Sequence, residues 1–113
     1  MGPLNHVEIR SYNLKPGACD AFHRIVLEQA MPMLRRWKTD VVAHGPSPHD
    51  GDSYYIIRAY GSLEQRKKDQ DAFYGSAEWR DGPRDQVMAL IESYATIVLE
   101  MDDQTLKGLR RDS

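Results

Sequence analysis

The amino-acid sequence predicts a single α+β domain of β-α-β-β-α-β order, and three observations carry that prediction. Residues 6–13 and 54–60 are short alternating runs with the period of two expected of strands. Residues 18–37 instead repeat apolar side chains every three or four positions, as a helix does, and the Ser62–Gln65 capping spacing opens a second, charged helical stretch at 63. Clusters of Pro, Gly, Ser and Asn punctuate the boundaries between these runs.

Taken in order, the first strand covers residues 6–13 and ends at the turn Lys15-Pro16-Gly17. The first helix follows over 18–37, with Phe22, Ile25, Val26, Ala30, Met33, Leu34 and Trp37 on one stripe. Pro32 lies inside it, deletes a backbone donor and crowds the carbonyl of Glu28, so a kink or break is expected there. Residues 39–44 form a second strand, and the loop 45–52, with two Pro and two Gly, makes a hairpin to the third strand at 54–60. Ser62 and Gln65 have the spacing of a capping box at the start of a charged helix over 63–74. Ser76 caps a further helical stretch, Gly82-Pro83 interrupts it, and 85–91 resumes. Residues 94–101 are the last strand, and the tail 102–113 beyond the core 6–101 is expected to fray.

The bulk properties bound the function. A chain of 113 residues holds one domain, and 41% apolar with 28% charged residues is ordinary for a globular protein. The formal net charge of −2 supplies no drive toward nucleic acid or anionic lipid. No apolar run approaches the length of a membrane span. The first six residues lack the regions of a secretory signal, which together with the lone Cys19 sets cytoplasmic residence as the expectation. The absence of metal-ligand spacing and of a phosphate-cradling glycine loop leads to the expectation of no metal and no cofactor.

Strand parity organises the candidate site. Val7, Ile9 and Ser11 share one face of the first strand, and His6, Glu8, Arg10 and Tyr12 the other. In the third, Tyr55, Ile57 and Ala59 oppose Tyr54, Ile56, Arg58 and Tyr60. The apolar Val7-Ile9 and Tyr55-Ile57 rows are assigned to the helix side. The other row, with Val98 and Tyr94 of the last strand, is then left uncovered and too apolar to face water. A homodimer with two sheets packed face to face, enclosing a barrel, resolves this.

Four blocks give the chain a resemblance. They are Glu8-Ile9-Arg10-Ser11-Tyr12 with Leu14-Lys15-Pro16-Gly17, then Glu28 to Arg36 around Pro32, then Arg58-Ala59-Tyr60-Gly61-Ser62-Leu63-Glu64-Gln65-Arg66, and finally Ala72-Phe73-Tyr74-Gly75-Ser76-Ala77-Glu78-Trp79. In this order they resemble the NIPSNAP family, within the dimeric α+β barrel superfamily. The resemblance implies a ferredoxin-like protomer that pairs through its sheet. It supplies no reaction, because related barrels include cofactor-free monooxygenases, isomerases, haem proteins and simple ligand binders.

The candidate ligand-binding residues are therefore Glu8, Arg10, Tyr12, Arg58, Tyr60 and Tyr94, with His44 at the barrel mouth. Two guanidiniums suit a carboxylate or enolate, and a tyrosine hydroxyl can donate to a carbonyl. The same groups equally suit a buried ion network that fixes the dimer. Two functions stay open: a cofactor-free enzyme or binder of a small organic molecule, and a non-catalytic dimeric interaction or regulatory module. No catalytic residue is assigned. His23 reads as a helix-surface residue and Cys19 as inert.

Overall fold

The computed structural model describes residues 3–111 and contains β1 (Asn5–Leu14), α1 (Cys19–Ile25), a π-helical turn (Val26–Ala30), α2 (Met31–Arg36), β2 (Asp40–Pro46), β3 (Ser53–Tyr60), α3 (Leu63–Tyr74), α4 (Ala77–Asp81), α5 (Arg84–Leu90), β4 (Ile91–Met101) and α6 (Asp103–Leu109). The strands form one antiparallel sheet in the order β2-β3-β1-β4. This is the β-α-β-β-α-β protomer that the alternation and capping signals require.

Local chemistry sets the element boundaries. Gly17 supplies the positive φ of 78° that closes the turn after β1. The Ser62 hydroxyl accepts from the Gln65 amide at 3.0 Å, but the Gln65 side chain turns to Asp69 instead of closing the capping box. The Ser76 hydroxyl caps α4 by accepting from the Trp79 amide at 3.2 Å. Ahead of Pro32 the ladder slips by one residue, with the Met31 amide donating to Val26, so the helix distorts where the missing donor demands it.

The side of the sheet occupied by each row reverses the expectation. Glu8, Arg10 and Tyr12 of β1, with Tyr54, Ile56, Arg58 and Tyr60 of β3, lie under the helices: Tyr12 packs on Phe22 of α1, and Arg58 reaches Tyr74 of α3. Tyr12, Tyr54, Ile56 and Tyr60 are all buried within one chain, so they are not an uncovered sheet face. The physical reason lies in α3, whose inward residues Arg66, Gln70 and Tyr74 repeat every four positions and match a charged sheet face. The main core is built above this row from Tyr12, Phe22, Val26, Leu34, Tyr54, Ile56, Phe73, Trp79 and Val87.

The apolar row expected under the helices faces the other way and has its own small cover. Val7, Val42 and Ala59 are buried beneath Leu106 of α6. The tail therefore does not fray from residue 102: the Asp102 carboxylate caps α6 by accepting from the Thr105 amide at 2.8 Å. Arg110 then grips Asp40 with paired contacts of 2.7 and 2.8 Å, and the Arg111 amide donates to the Val42 carbonyl on the β2 edge. Residues 112 and 113 of the expected tail lie outside the described residues. The cover is partial, leaving Ile97 at 54% and Leu99 at 39% exposure on β4. Among the described residues, no helix is long and apolar enough to cross a membrane.

Candidate functional site

The register of the sheet brings the site together. Glu8 stands opposite Arg58, Arg10 opposite Thr96, and Tyr12 between Tyr54 and Tyr94. Glu8, Arg10 and Arg58 reach side chains of α3, and Tyr12 and Tyr54 pack against Phe22 of α1. Two features result, a sealed ion network and an open cavity beside it.

Glu8 is the centre of the network and is fully buried. Its Oε1 accepts from Arg58 Nη2 at 2.5 Å and Nε at 3.1 Å, and its Oε2 accepts from Arg66 Nε at 2.7 Å and from Gln70. Arg10 Nη2 stands off at 3.7 Å, an ion contact without a hydrogen bond. Burial pushes the Glu8 carboxyl up, but the Arg58 and Arg10 guanidiniums and the Gln70 amide overcome this and hold it below the usual carboxylate range. Tyr60 joins from the side, its hydroxyl accepting from Gln70 at 3.1 Å, and burial pushes its pKa up. Glu8, Arg58 and Tyr60 thus support one another rather than line the open cavity.

The cavity has a volume of about 580 Å³ and lies between β1, β4 and the helices α3 to α5. Of the seven residues expected from the sequence, Arg10, Tyr12 and Tyr94 line it. Tyr74, Trp79, Val87, Met88 and Ile91 complete most of its wall and were missed by strand parity. The signal that could have found Tyr74 is the four-residue spacing Arg66, Gln70, Tyr74, which puts all three on one helix face. The remaining wall depends on the bend at Gly82-Pro83 between α4 and α5, which fixes their direction only in three dimensions.

Arg10 forms the polar floor of the cavity. Its Nε donates to Thr96 Oγ1 at 3.2 Å and its Nη1 to the Tyr74 hydroxyl at 3.4 Å, while the guanidinium sits 5.1 Å from the Tyr94 ring centroid. Burial, with Tyr74 beside it, pushes the Tyr12 hydroxyl up to about 12 against the opposing pull of Arg10 and Arg58. Tyr12 is therefore a protonated donor at neutral pH.

His44 lies elsewhere. It shares the buried Tyr54 hydroxyl with His23, at 3.3 Å and 2.7 Å respectively, and borders a separate groove of about 220 Å³ along β2. His23 is thus not a free helix-surface residue but a clamp between α1 and β3. Burial, reinforced by His23 and Arg35, lowers the His44 pKa below its ordinary value of 6.5. Burial, then Asp20 and Asp52, raises the Cys19 thiol, which lowers its thiolate fraction. Among the described residues, no group of three His, Cys, Asp or Glu side chains has the geometry to hold a metal ion.

With this geometry in view, comparison with known proteins is decisive for the family. The NIPSNAP family model matches residues 7–104. The chain belongs to the NIPSNAP family. A NIPSNAP family protein from Agrobacterium tumefaciens superposes with a TM-score of 0.82 at 17% identity, covering 91% of this chain and 90% of that one. An uncharacterised NIPSNAP-like domain protein from Burkholderia xenovorans gives 0.82 at 16% identity, covering 90% and 89%. A provisionally named antibiotic biosynthesis monooxygenase from Nitrosomonas europaea gives 0.65 at 18% identity, covering 88% and 91%. At these identities the solved structures bear on the fold, which is the ferredoxin-like α+β fold. Comparison with curated proteins finds no match.

Two outcomes follow from the site. Arg58→Leu removes two of the donors to a fully buried carboxylate and should lower stability by about 3–5 kcal/mol, read from denaturant unfolding; a loss under about 1 kcal/mol would show that Glu8 does not depend on it. The pH dependence should have two limbs. A histidine held neutral by burial binds fewer protons folded than unfolded, so the His44 contribution is full above pH 6.5 and declines as the pH falls below it. The Glu8 contribution is full above the ordinary carboxyl value of 4.5 and is lost as the pH falls through its lower folded value. His44→Gln should flatten the upper limb of the melting-temperature profile and leave the lower one intact.

Proposed function

We propose that this NIPSNAP protein is a homodimer that binds a small organic molecule in the cavity between its sheet and α3 to α5, and that the cavity hosts cofactor-free chemistry of the monooxygenase or isomerase type. The observation that carries the reading is the pairing of aromatic walls with donors that the protein leaves unused. Among the described residues, Arg10 Nη2 has only its 3.7 Å ion contact with Glu8, and the Tyr12 hydroxyl, beside the Arg10 guanidinium, donates to no residue. Preorganised donors in a partly dewatered pocket stabilise an enolate-like oxygen as it gains charge, and need no metal to do so. Apolar walls with a few convergent polar groups are the usual form of a small-molecule site. The likeness in fold to proteins named as monooxygenases agrees with this reading.

Dimerisation is supported by a different surface from the one that strand parity suggests. The outer face of the sheet retains exposed Ile97 and Leu99, and among the described residues β4 is an edge strand without a neighbour on its far side. An apolar edge strand of this length invites pairing. A non-catalytic dimeric module is the second reading, and the complete pairing of Glu8 favours it.

Binding separates the two. A thermal-shift and calorimetric panel of small aromatic and oxygenated molecules should yield at least one saturable ligand. Tyr94→Ala removes an exposed cavity wall and should weaken that ligand about 2–12-fold, the worth of one aromatic contact, with the fold unchanged. A panel without any saturable ligand would select the non-catalytic module. Sedimentation at micromolar concentration should give a dimer that Ile97→Asp converts to a monomer; a monomeric parent protein would contradict the paired-sheet assembly.

A further inference from the structure

The charge around Glu8 does not balance. Arg58, Arg66 and Arg10 all lie within ion-pair distance of this one carboxylate, at 2.5, 2.7 and 3.7 Å. Among the described residues none of the three has a second carboxylate partner. The carboxylates of α3 are engaged elsewhere: Asp71, at the rim of the same cavity, pairs with Lys67, and Asp69 accepts from Gln65. Three cations facing one anion leave a surplus of two positive charges behind the cavity floor. Arg58 and Arg10 carry most of it where water is scarce, their side chains being 3% and 12% exposed. Unpaired buried charge is costly, so a counter-charge is missing from this layer.

Tyr74 shows where that counter-charge belongs. Its hydroxyl oxygen accepts from Arg58 Nη1 at 2.7 Å and from Arg10 Nη1 at 3.4 Å. A phenol oxygen has two lone pairs, and both are now occupied. Only its O–H is left, and no acceptor among the described residues receives it. Tyr74 lines the cavity, as does Arg10. Two guanidiniums donating to one phenol oxygen also polarise its O–H and strengthen it as a donor. Arg10 Nη2 and Tyr74 O–H can therefore offer hydrogens to the same cavity and can accept none in return.

We infer that the natural ligand of this cavity is an aromatic organic anion, its carboxylate or phenolate oxygen held jointly by Arg10 Nη2 and the Tyr74 O–H, with the ring against Tyr94 and Trp79. The inference rests on the small-molecule reading above and specifies its substrate class. An acceptor-only oxygen is the one group that satisfies both donors, and its charge offsets the surplus left by Glu8. A neutral amide can accept through its carbonyl oxygen but brings no negative charge to offset that surplus.

Matched probes test this: benzoate against benzamide and 2-naphthoate against 2-naphthamide, titrated calorimetrically at neutral pH into the wild-type protein. At least one acid should bind ~10-fold or more tightly than its amide, within the range expected of a charged hydrogen bond. Arg10→Gln and Tyr74→Phe should each reduce that ratio toward unity while amide binding holds within about 3-fold, which separates a lost recognition contact from a collapsed cavity. Arg10→Gln should leave the unfolding midpoint near that of the wild type, because Arg58, Arg66 and Gln70 still satisfy Glu8. Amides that bind as well as their acids overturn the anion assignment alone. Saturable binding of none of the four probes, with the wild-type fold intact, overturns both this assignment and the small-molecule reading.

Discussion

The structure turns on a single buried carboxylate. Glu8 sits on one of the two inner strands with no exposure to solvent, and a charge in that position persists only if its oxygens are saturated. The donors come from two places in the chain, Arg58 from the neighbouring strand and Arg66 with Gln70 from α3, while Arg10 of the same strand adds an ion contact at 3.7 Å. That requirement fixes which face of α3 turns inward and which row of the sheet it covers. It also explains why a helix with almost no apolar stripe packs against the sheet at all, since the contact is made by ion pairs and completed by Phe73 and Tyr74 at its end.

The cavity is a consequence of the same arrangement. Arg58 and Arg66 close Glu8 off on one side, while Arg10 leans away toward Thr96, Tyr74 and Tyr94 and carries positive charge to an open space. The aromatic layer of Tyr74, Phe73 and Trp79 is held by edge-on and tilted ring contacts at 5.0 to 5.5 Å, which sets the shape of the wall. Neighbouring guanidiniums thus have different surroundings: Arg58 holds Glu8, and Arg10 faces the cavity.

Much of the fold was legible because its signals are local. The strand runs, the Ser62 and Ser76 caps and the distortion ahead of Pro32 follow from a few adjacent residues, and the structure has each of them. Parity also grouped Glu8, Arg10, Tyr12, Arg58 and Tyr60 on one face, as observed. The side of the sheet was not legible from the strands alone. Hydrophobicity assigned Val7 and Ile9 to the helices, whereas the decisive partner was the polar series Arg66, Gln70, Tyr74 on an element that resembles a solvated surface helix. The helix α6 was missed for a related reason: it brings only Leu106 and Leu109 to the sheet, too few apolar residues to mark it in the sequence. His44 was misplaced because its partner, the Tyr54 hydroxyl, belongs to a row thought to face the opposite way.

The most direct test of this account is a crystal structure of the protein grown with 2-naphthoate. The account predicts a carboxylate oxygen within hydrogen-bond distance of both Arg10 Nη2 and the Tyr74 hydroxyl, with Glu8, Arg58 and Arg66 unmoved behind them. A carboxylate that binds elsewhere, or that draws Arg58 or Arg66 off Glu8, would contradict it.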